Sequence, residues 1–201
     1  MNKAQISELQ DRLEAIEPKL QSEGFLNNKG LGNEIGFYIF DYSPKAEVLV
    51  NEQLDMICQR LEKRGRKFIH LNLFDVLLEM LESRKLLEKA FQLHKVKGDE
   101  ALLKALKGPL DQKRIAEFLI KKIEPNSQDF VLLSGLGSCW PLLRGHSLLN
   151  ALHADMGDTP LVLFYPGSYT GLELHPFGII DSANYYRAFE LVPHKKLSIQ
   201  K

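Results

Sequence analysis

The chain has 201 residues, of which 44% are hydrophobic and 26% charged, a composition that excludes the disordered and collagenous classes and can bury an ordinary core within one domain. Lys plus Arg equals Asp plus Glu at 26 each, so the formal net charge is zero and no global field draws the protein to nucleic acid or anionic lipid. The first 21 residues lack the apolar core of a secretory signal, and no apolar run approaches membrane-spanning length. A cytoplasmic location without a membrane partner is the expectation. The two cysteines, Cys58 and Cys139, lie in separate segments and make neither a disulfide framework nor a zinc site.

In chain order, Ile6, Leu9, Leu13, Ile16 and Leu20 recur at helical spacing, so residues 1–23 are expected to form an N-terminal helix that Pro18 kinks or ends. The glycine- and asparagine-rich residues 24–36 read as a loop. Phe37-Tyr38-Ile39-Phe40 is an unbroken apolar run, as in a strand buried on both faces, with Asp41 and Pro44 ending it. Val48, Leu49, Leu54, Ile57 and Leu61 predict a helix stopped by Gly65. Phe68-Ile69-His70-Leu71 is a second strand, after which Asn72 caps a helix carrying Leu77, Leu78 and Leu81.

Residues 82–123 are rich in Lys, Glu and Leu and read as a helical insertion broken at Gly98 and Gly108-Pro109. Phe130-Val131-Leu132-Leu133 forms a third strand, turning at residues 134–137 into a helix from about Leu142 to His153. Leu161-Val162-Leu163-Phe164-Tyr165 is the fourth, with Pro166-Gly167 expected to turn the chain out of it. Residues 177–180 and 185–191 predict an antiparallel hairpin at the sheet edge. Strands alternating with long helices make this a single α/β domain, a three-layer sandwich with a mainly parallel sheet.

Ligands of such sheets bind outside the strand carboxyl ends, which directs attention to Asp41, Asn72, Asp75, residues 134–137 and residues 165–167. Asp41 and Asn72 are more simply helix caps or turn residues. Gly135-Leu136-Gly137-Ser138-Cys139-Trp140 follows a strand, yet Trp140 occupies the third glycine position of a dinucleotide fingerprint, no Lys-Ser or Lys-Thr follows, and Pro141 removes an amide. A tight turn that packs Trp140 against the sheet is the better reading.

Ser134 and Cys139 each have His146 nearby in sequence, but no hydrolase elbow surrounds Ser134 and no group that orients His146 can be named. No histidine is paired at metal-ligand spacing. No cofactor and no catalytic constellation is therefore expected. Tyr165, Tyr169, Tyr185 and Tyr186 are large, rigid side chains of the kind favoured as interface anchors, or else they close the core.

Gly30-Leu31-Gly32-Asn33-Glu34, Phe37-Tyr38-Ile39-Phe40-Asp41-Tyr42-Ser43-Pro44 and Leu73-Phe74-Asp75 together resemble the opening of the BrxB family of BREX bacteriophage-exclusion systems. The later motifs agree in order: Ser134-Gly135-Leu136-Gly137 with Pro141, Arg144 and His146, then Leu163-Phe164-Tyr165-Pro166-Gly167-Ser168-Tyr169, then Asn184-Tyr185-Tyr186-Arg187-Ala188-Phe189. The resemblance implies a small phage-defence component encoded with a DNA methyltransferase, a large ATPase and an alkaline-phosphatase-like PglZ protein. It hands over no catalytic mechanism, and the sheet is P-loop-like without a Walker A motif.

The leading expectation is a non-catalytic protein that docks onto another BREX protein, PglZ first and then the methyltransferase and ATPase. Its surface would be drawn from Asp41, Asp75, Trp140, Arg144, His146, Tyr165, Tyr169, Tyr185, Tyr186 and Arg187, or from the helical insertion. Two alternatives stand beside it. One is DNA binding through Lys63, Arg64, Arg66, Lys67 and Arg144. The other is a degenerate nucleotide site with Asp41 and Asp75 around magnesium.

Overall fold

Strand β1 (Phe37–Tyr42) lies inside a sheet of order β2-β3-β4-β1-β6, completed by β2 (Phe68–Asn72), β3 (Phe130–Ser134), β4 (Leu161–Tyr169) and β6 (Phe189–Glu190). The computed structural model describes residues 1–27, 36–178, 180 and 188–195. All neighbours in that order run parallel, and only β5 (Leu174–Pro176) is antiparallel, on the far end of β4. Every residue of β1 and β3 is buried, because helices cover both faces of the sheet.

The alternation of side chains sorts two cores. Tyr38, Phe40, Leu132, Val162 and Phe164 pack under α1 (Lys3–Glu14), α2 (Ile16–Leu20), α3 (Glu23–Leu26) and α4 (Glu47–Lys63). Phe37, Ile39, Val131, Leu133 and Leu163 pack under α5 (Leu73–Ser83), α7 (Gln112–Ile123) and α8 (Gly145–Leu152). This is the three-layer α/β arrangement that the strand–helix alternation predicts.

Between α5 and α7 runs α6 (Leu87–Leu106), which bends at Gly98, where φ is 75°. Its two halves face each other through Ala90, Leu93, Leu102 and Leu106, while Phe91 and Val96 stay exposed.

Several boundaries depart from the sequence reading. Pro18 lies within the first turn of the short helix α2, where its missing N–H costs nothing, so the break falls at Ala15 instead. Phe25 is fully buried on α3, in a stretch expected to be loop. Pro166-Gly167 does not turn: β4 runs through it to Tyr169. A Cβ on Gly167 would stand 2.3 Å from the carbonyl oxygen of His175, so glycine is what lets β5 approach. Helix α8 begins at Gly145 rather than near Leu142, preceded by a 3₁₀ turn over Leu136–Cys139.

Of the expected edge hairpin, residues 179 and 185–187 lie outside the described residues. Phe189 and Glu190 pair parallel to β1, and Phe177 sits in a turn with φ of 57°. Much of the segment that would join them lies outside the described residues. A strand of two residues carries too little pattern to reveal its direction. What fixes it is Tyr169, whose phenol donates to Ala188 O at 2.8 Å and accepts from Ala188 N at 2.9 Å. Replacing Tyr169 with Phe leaves both backbone groups of a buried residue unpaired. Urea denaturation is expected to show a loss of about 1–3 kcal/mol.

Candidate functional site

The carboxyl edge of the sheet is built differently at its two ends. At β1, Asp41 is 3% exposed within an otherwise apolar strand. Arg12 Nη2 donates to its Oδ1 at 2.8 Å, and Arg12 Nη1 donates to its backbone carbonyl at 2.8 Å. Tyr169 N donates to Oδ2 at 3.1 Å, and His194 Nε2 lies 2.9 Å from Oδ1. The guanidinium also lies over the Phe40 ring at 4.6 Å and donates from Nε to Val192 O.

Burial opposes ionisation of Asp41. The hydrogen bond and charge of His194, the charge of Arg12 and the Tyr169 amide outweigh it and hold the carboxyl below its ordinary 3.8. Asp41 is thus neither a cap nor a free ligand. A cleft of about 400 Å³ opens beside it, lined by Gln5, Glu8, Arg12, Ser43, Lys45 and His194.

Sequence reasoning missed Arg12 and His194. Arg12 had a signal: three residues after Leu9 and four before Ile16, it falls on the apolar stripe of its helix, where a charge needs a buried partner.

At the ends of β3 and β4 the glycine turn serves packing. Gly135 has φ of 74°, and a Cβ there would stand 2.2 Å from Asn72 Oδ1, the atom that caps α5 by accepting from Phe74 N at 3.0 Å. The room that a phosphate would need beside Gly135 is taken by this asparagine. Gly137 faces Pro166 and Phe177.

Trp140 is half-buried, edge-on to Phe177 with ring centres 6.0 Å apart, and the exposed Arg144 guanidinium lies over it at 5.1 Å. Arg144 has no ion-pair partner among the described residues. It also borders a groove of about 650 Å³ whose other lining includes Leu103, Lys104, Lys107, Asp111 and Leu142, between α6, the start of α7 and the turn after β3.

The remaining candidates do not converge. Asp75 is exposed in the first turn of α5, beyond β2. Three strand spacings, about 14 Å, separate β2 from β1, so Asp75 and Asp41 do not share a magnesium ion. His146 contacts Ser147 at 2.9 Å, and its pKa is lowered by burial and by Arg144.

Ser134 instead pairs with His70 Nε2 at 2.8 Å, a contact the sequence reading did not foresee. Ser134 is 1% exposed, and His70 is lowered mainly by burial against the opposing charge of Asp55, so the pair is a satisfied polar contact of the sheet. Burial and the charge of Asp75 push Cys139 up to about 12, which keeps it a thiol. Tyr165 and Tyr169 are buried at 2% and 5% and act as core and clasp rather than as exposed anchors. Tyr185, Tyr186 and Arg187 lie outside the described residues.

Two members of the basic cluster, Arg64 and Arg66, are paired with carboxylates, and Arg60 beside them shares the partner of Arg64. Arg60 and Arg64 pair with Glu17 at 2.5 and 3.1 Å, and Arg66 with Asp129 at 3.9 Å. Arg66 and Lys67 precede β2 whereas Arg144 follows β3, a strand parallel to it, so they stand at opposite edges of the sheet.

Fold and edge together define a parallel α/β protein whose strand ends carry side-chain clasps and an aromatic–arginine platform in place of an anion cradle. The BREX protein BrxB family profile matches residues 69–191. A BREX protein BrxB of Escherichia coli O9:H4 (strain HS) is 49% identical over 185 residues, covering 92% of each chain. One of Bacillus cereus (strain H3081.97) is 42% identical over 189 residues, covering 92% of this chain and 97% of its own. The chain belongs to the BrxB family and is a component of a BREX phage-defence system. No solved structure matches it.

Removing one partner of a buried ion pair strands the other charge. Arg12→Ala is therefore expected to cost about 3–5 kcal/mol in denaturant unfolding. Because the Asp41 pKa is depressed on folding, its contribution is complete above its ordinary 3.8 and is lost as pH falls through the lower folded value. Stability measured from pH 6 down to 3 should fall in the native protein and fall less in Asp41→Asn.

Proposed function

We propose that this chain is a non-catalytic docking subunit of its BREX complex, holding the alkaline-phosphatase-like PglZ protein through the Trp140–Arg144 platform at the carboxyl edge of the sheet. The methyltransferase and ATPase are the next partners in order.

The observation that carries this reading is Arg144: an exposed guanidinium without a carboxylate partner among the described residues, stacked on a half-buried indole. Arginine and tryptophan are the side chains that concentrate binding energy at interfaces, because a planar cation on an aromatic face gives a partner both charge and area with little loss of freedom. The neighbouring groove adds Leu103 and Leu142 as apolar contacts, with Lys104 and Lys107 beside Glu100 and Asp111, a mixed-charge lining suited to a partner that brings both apolar and charged groups. Non-catalysis is supported by the burial of Ser134, the protonated Cys139 and the separation of Asp41 from Asp75.

Pairwise co-purification of the BREX proteins, quantified by analytical ultracentrifugation, tests it. PglZ should co-sediment with the native chain. Arg144→Ala and Trp140→Ala should each weaken binding by about 2 kcal/mol or more, roughly thirtyfold or more in Kd, with thermal unfolding of Arg144→Ala unchanged. Native-like binding by both variants, or no complex in any pair, overturns the reading.

A further inference from the structure

Strand β6 is held to β1 by little ladder. Among the described residues the two share the positions Tyr38↔Phe189 and Ile39↔Glu190, against the run from Phe37↔Leu161 to Tyr42↔Pro166 that joins β1 to β4. Leu191 N adds a bond to Ile39 O at 2.8 Å, and past this point side chains replace the backbone. Arg12 bridges Asp41 O and Val192 O, Lys195 meets Asp11 at 2.5 Å, and His194 stands between two carboxylates.

That last placement is chemically demanding. His194 Nε2 is 2.9 Å from Asp41 Oδ1 and Nδ1 is 3.3 Å from Glu8 Oε1. A neutral imidazole has one N–H, so its other nitrogen would present a lone pair to a carboxylate; only the imidazolium serves both. Around the ring stand Glu8 and Arg12 from α1 and Asp41 from β1; Met1, Tyr42 and Lys45 line the shared cleft, and the next residue, Lys195, is paired with Asp11. Arg12 opposes the added charge, but Asp41 already balances Arg12, which leaves Glu8 to balance the ring. With 47% of its side chain exposed, His194 exchanges its proton directly with solvent, unlike Asp41 at 4%.

We propose that His194 is a proton-operated bolt for residues 188–195: charged, it pins this strap across α1 and β1, and neutral, it releases a carboxylate so that the strap lifts and the outer edge of β1 is bared. The hydrogen bond to Asp41 raises the His194 pKa against burial, with help from the charge of Asp41. For a group raised on folding the contribution is complete below its ordinary 6.5 and is lost as pH climbs through the higher folded value. The bolt therefore opens on the alkaline side.

Amide hydrogen exchange of the full chain, read by NMR from pH 6 to 9 and corrected for the intrinsic rate, tests the proposal. Protection of the Leu191 amide should fall severalfold as the His194 ring titrates in the same samples, while Leu163 in β4 stays protected. His194→Gln should show low Leu191 protection at every pH, and His194→Lys, charged throughout, high protection at every pH. Glu8→Gln leaves the Arg12–Asp41 pair intact and should lower the ring's titration midpoint. Leu191 protection that stays constant through the native ring's titration, the native pH dependence persisting in His194→Gln, or an unmoved midpoint in Glu8→Gln overturns the proposal.

Discussion

A single ion pair, Arg12 with Asp41, determines how the helical layer before β1 is attached to the sheet. A carboxylate inside a strand buried on both faces is unfavourable unless its charge is matched and its lone pairs are filled. Asp41 receives a guanidinium, an imidazole and a backbone amide, drawn respectively from α1, from the segment after β6 and from the extension of β4. Three parts of the chain distant in sequence are thereby forced to one point. The guanidinium also does the work of a strand rung, joining the carbonyls of Asp41 and Val192 where the ladder between β1 and β6 has stopped.

The opposite end of the same edge obeys a different constraint. Where nucleotide-binding parallel sheets leave backbone amides open after a strand, here Asn72 fills the space beside Gly135 and Pro166 that beside Gly137. What stays accessible is lateral: Trp140 carrying Arg144, and the groove toward α6 and α7. That lateral surface is the one on which the proposed docking role rests.

Strands β1 to β4, the cap at Asn72 and the break in α6 at Gly98 were legible because each rests on local chemistry: apolar runs, a side-chain cap and a left-handed glycine. The passage of β4 through Pro166-Gly167 was not, since the turn preference of that pair is overridden by a tertiary contact with β5 that has no local signature. Of the candidate residues, Trp140 and Arg144 do meet, a consequence of four-residue separation across one turn. Asp41 was noticed for its place at a strand's carboxyl end and read as a candidate ligand or a cap, while Arg12 and His194, which explain it, stand 29 and 153 residues away. Tyr165 and Tyr169 look like contact aromatics in sequence because exposure is decided by β5 and Ala188, which no periodicity reports.

The reach of the Asp41 cluster bears on how the polypeptide acquires its shape. Arg12 and Asp41 leave the ribosome well before the groups that complete their contacts: Val192 and His194 emerge 180 and 153 positions after their respective partners. Until then the half-made pair stays hydrated, so α1 docks with its full complement of bonds only after residues 188–195 have emerged. An emerging chain would carry a finished sheet core from β1 to β4 beneath a loosely seated helical layer, which Val192 and His194 then seal.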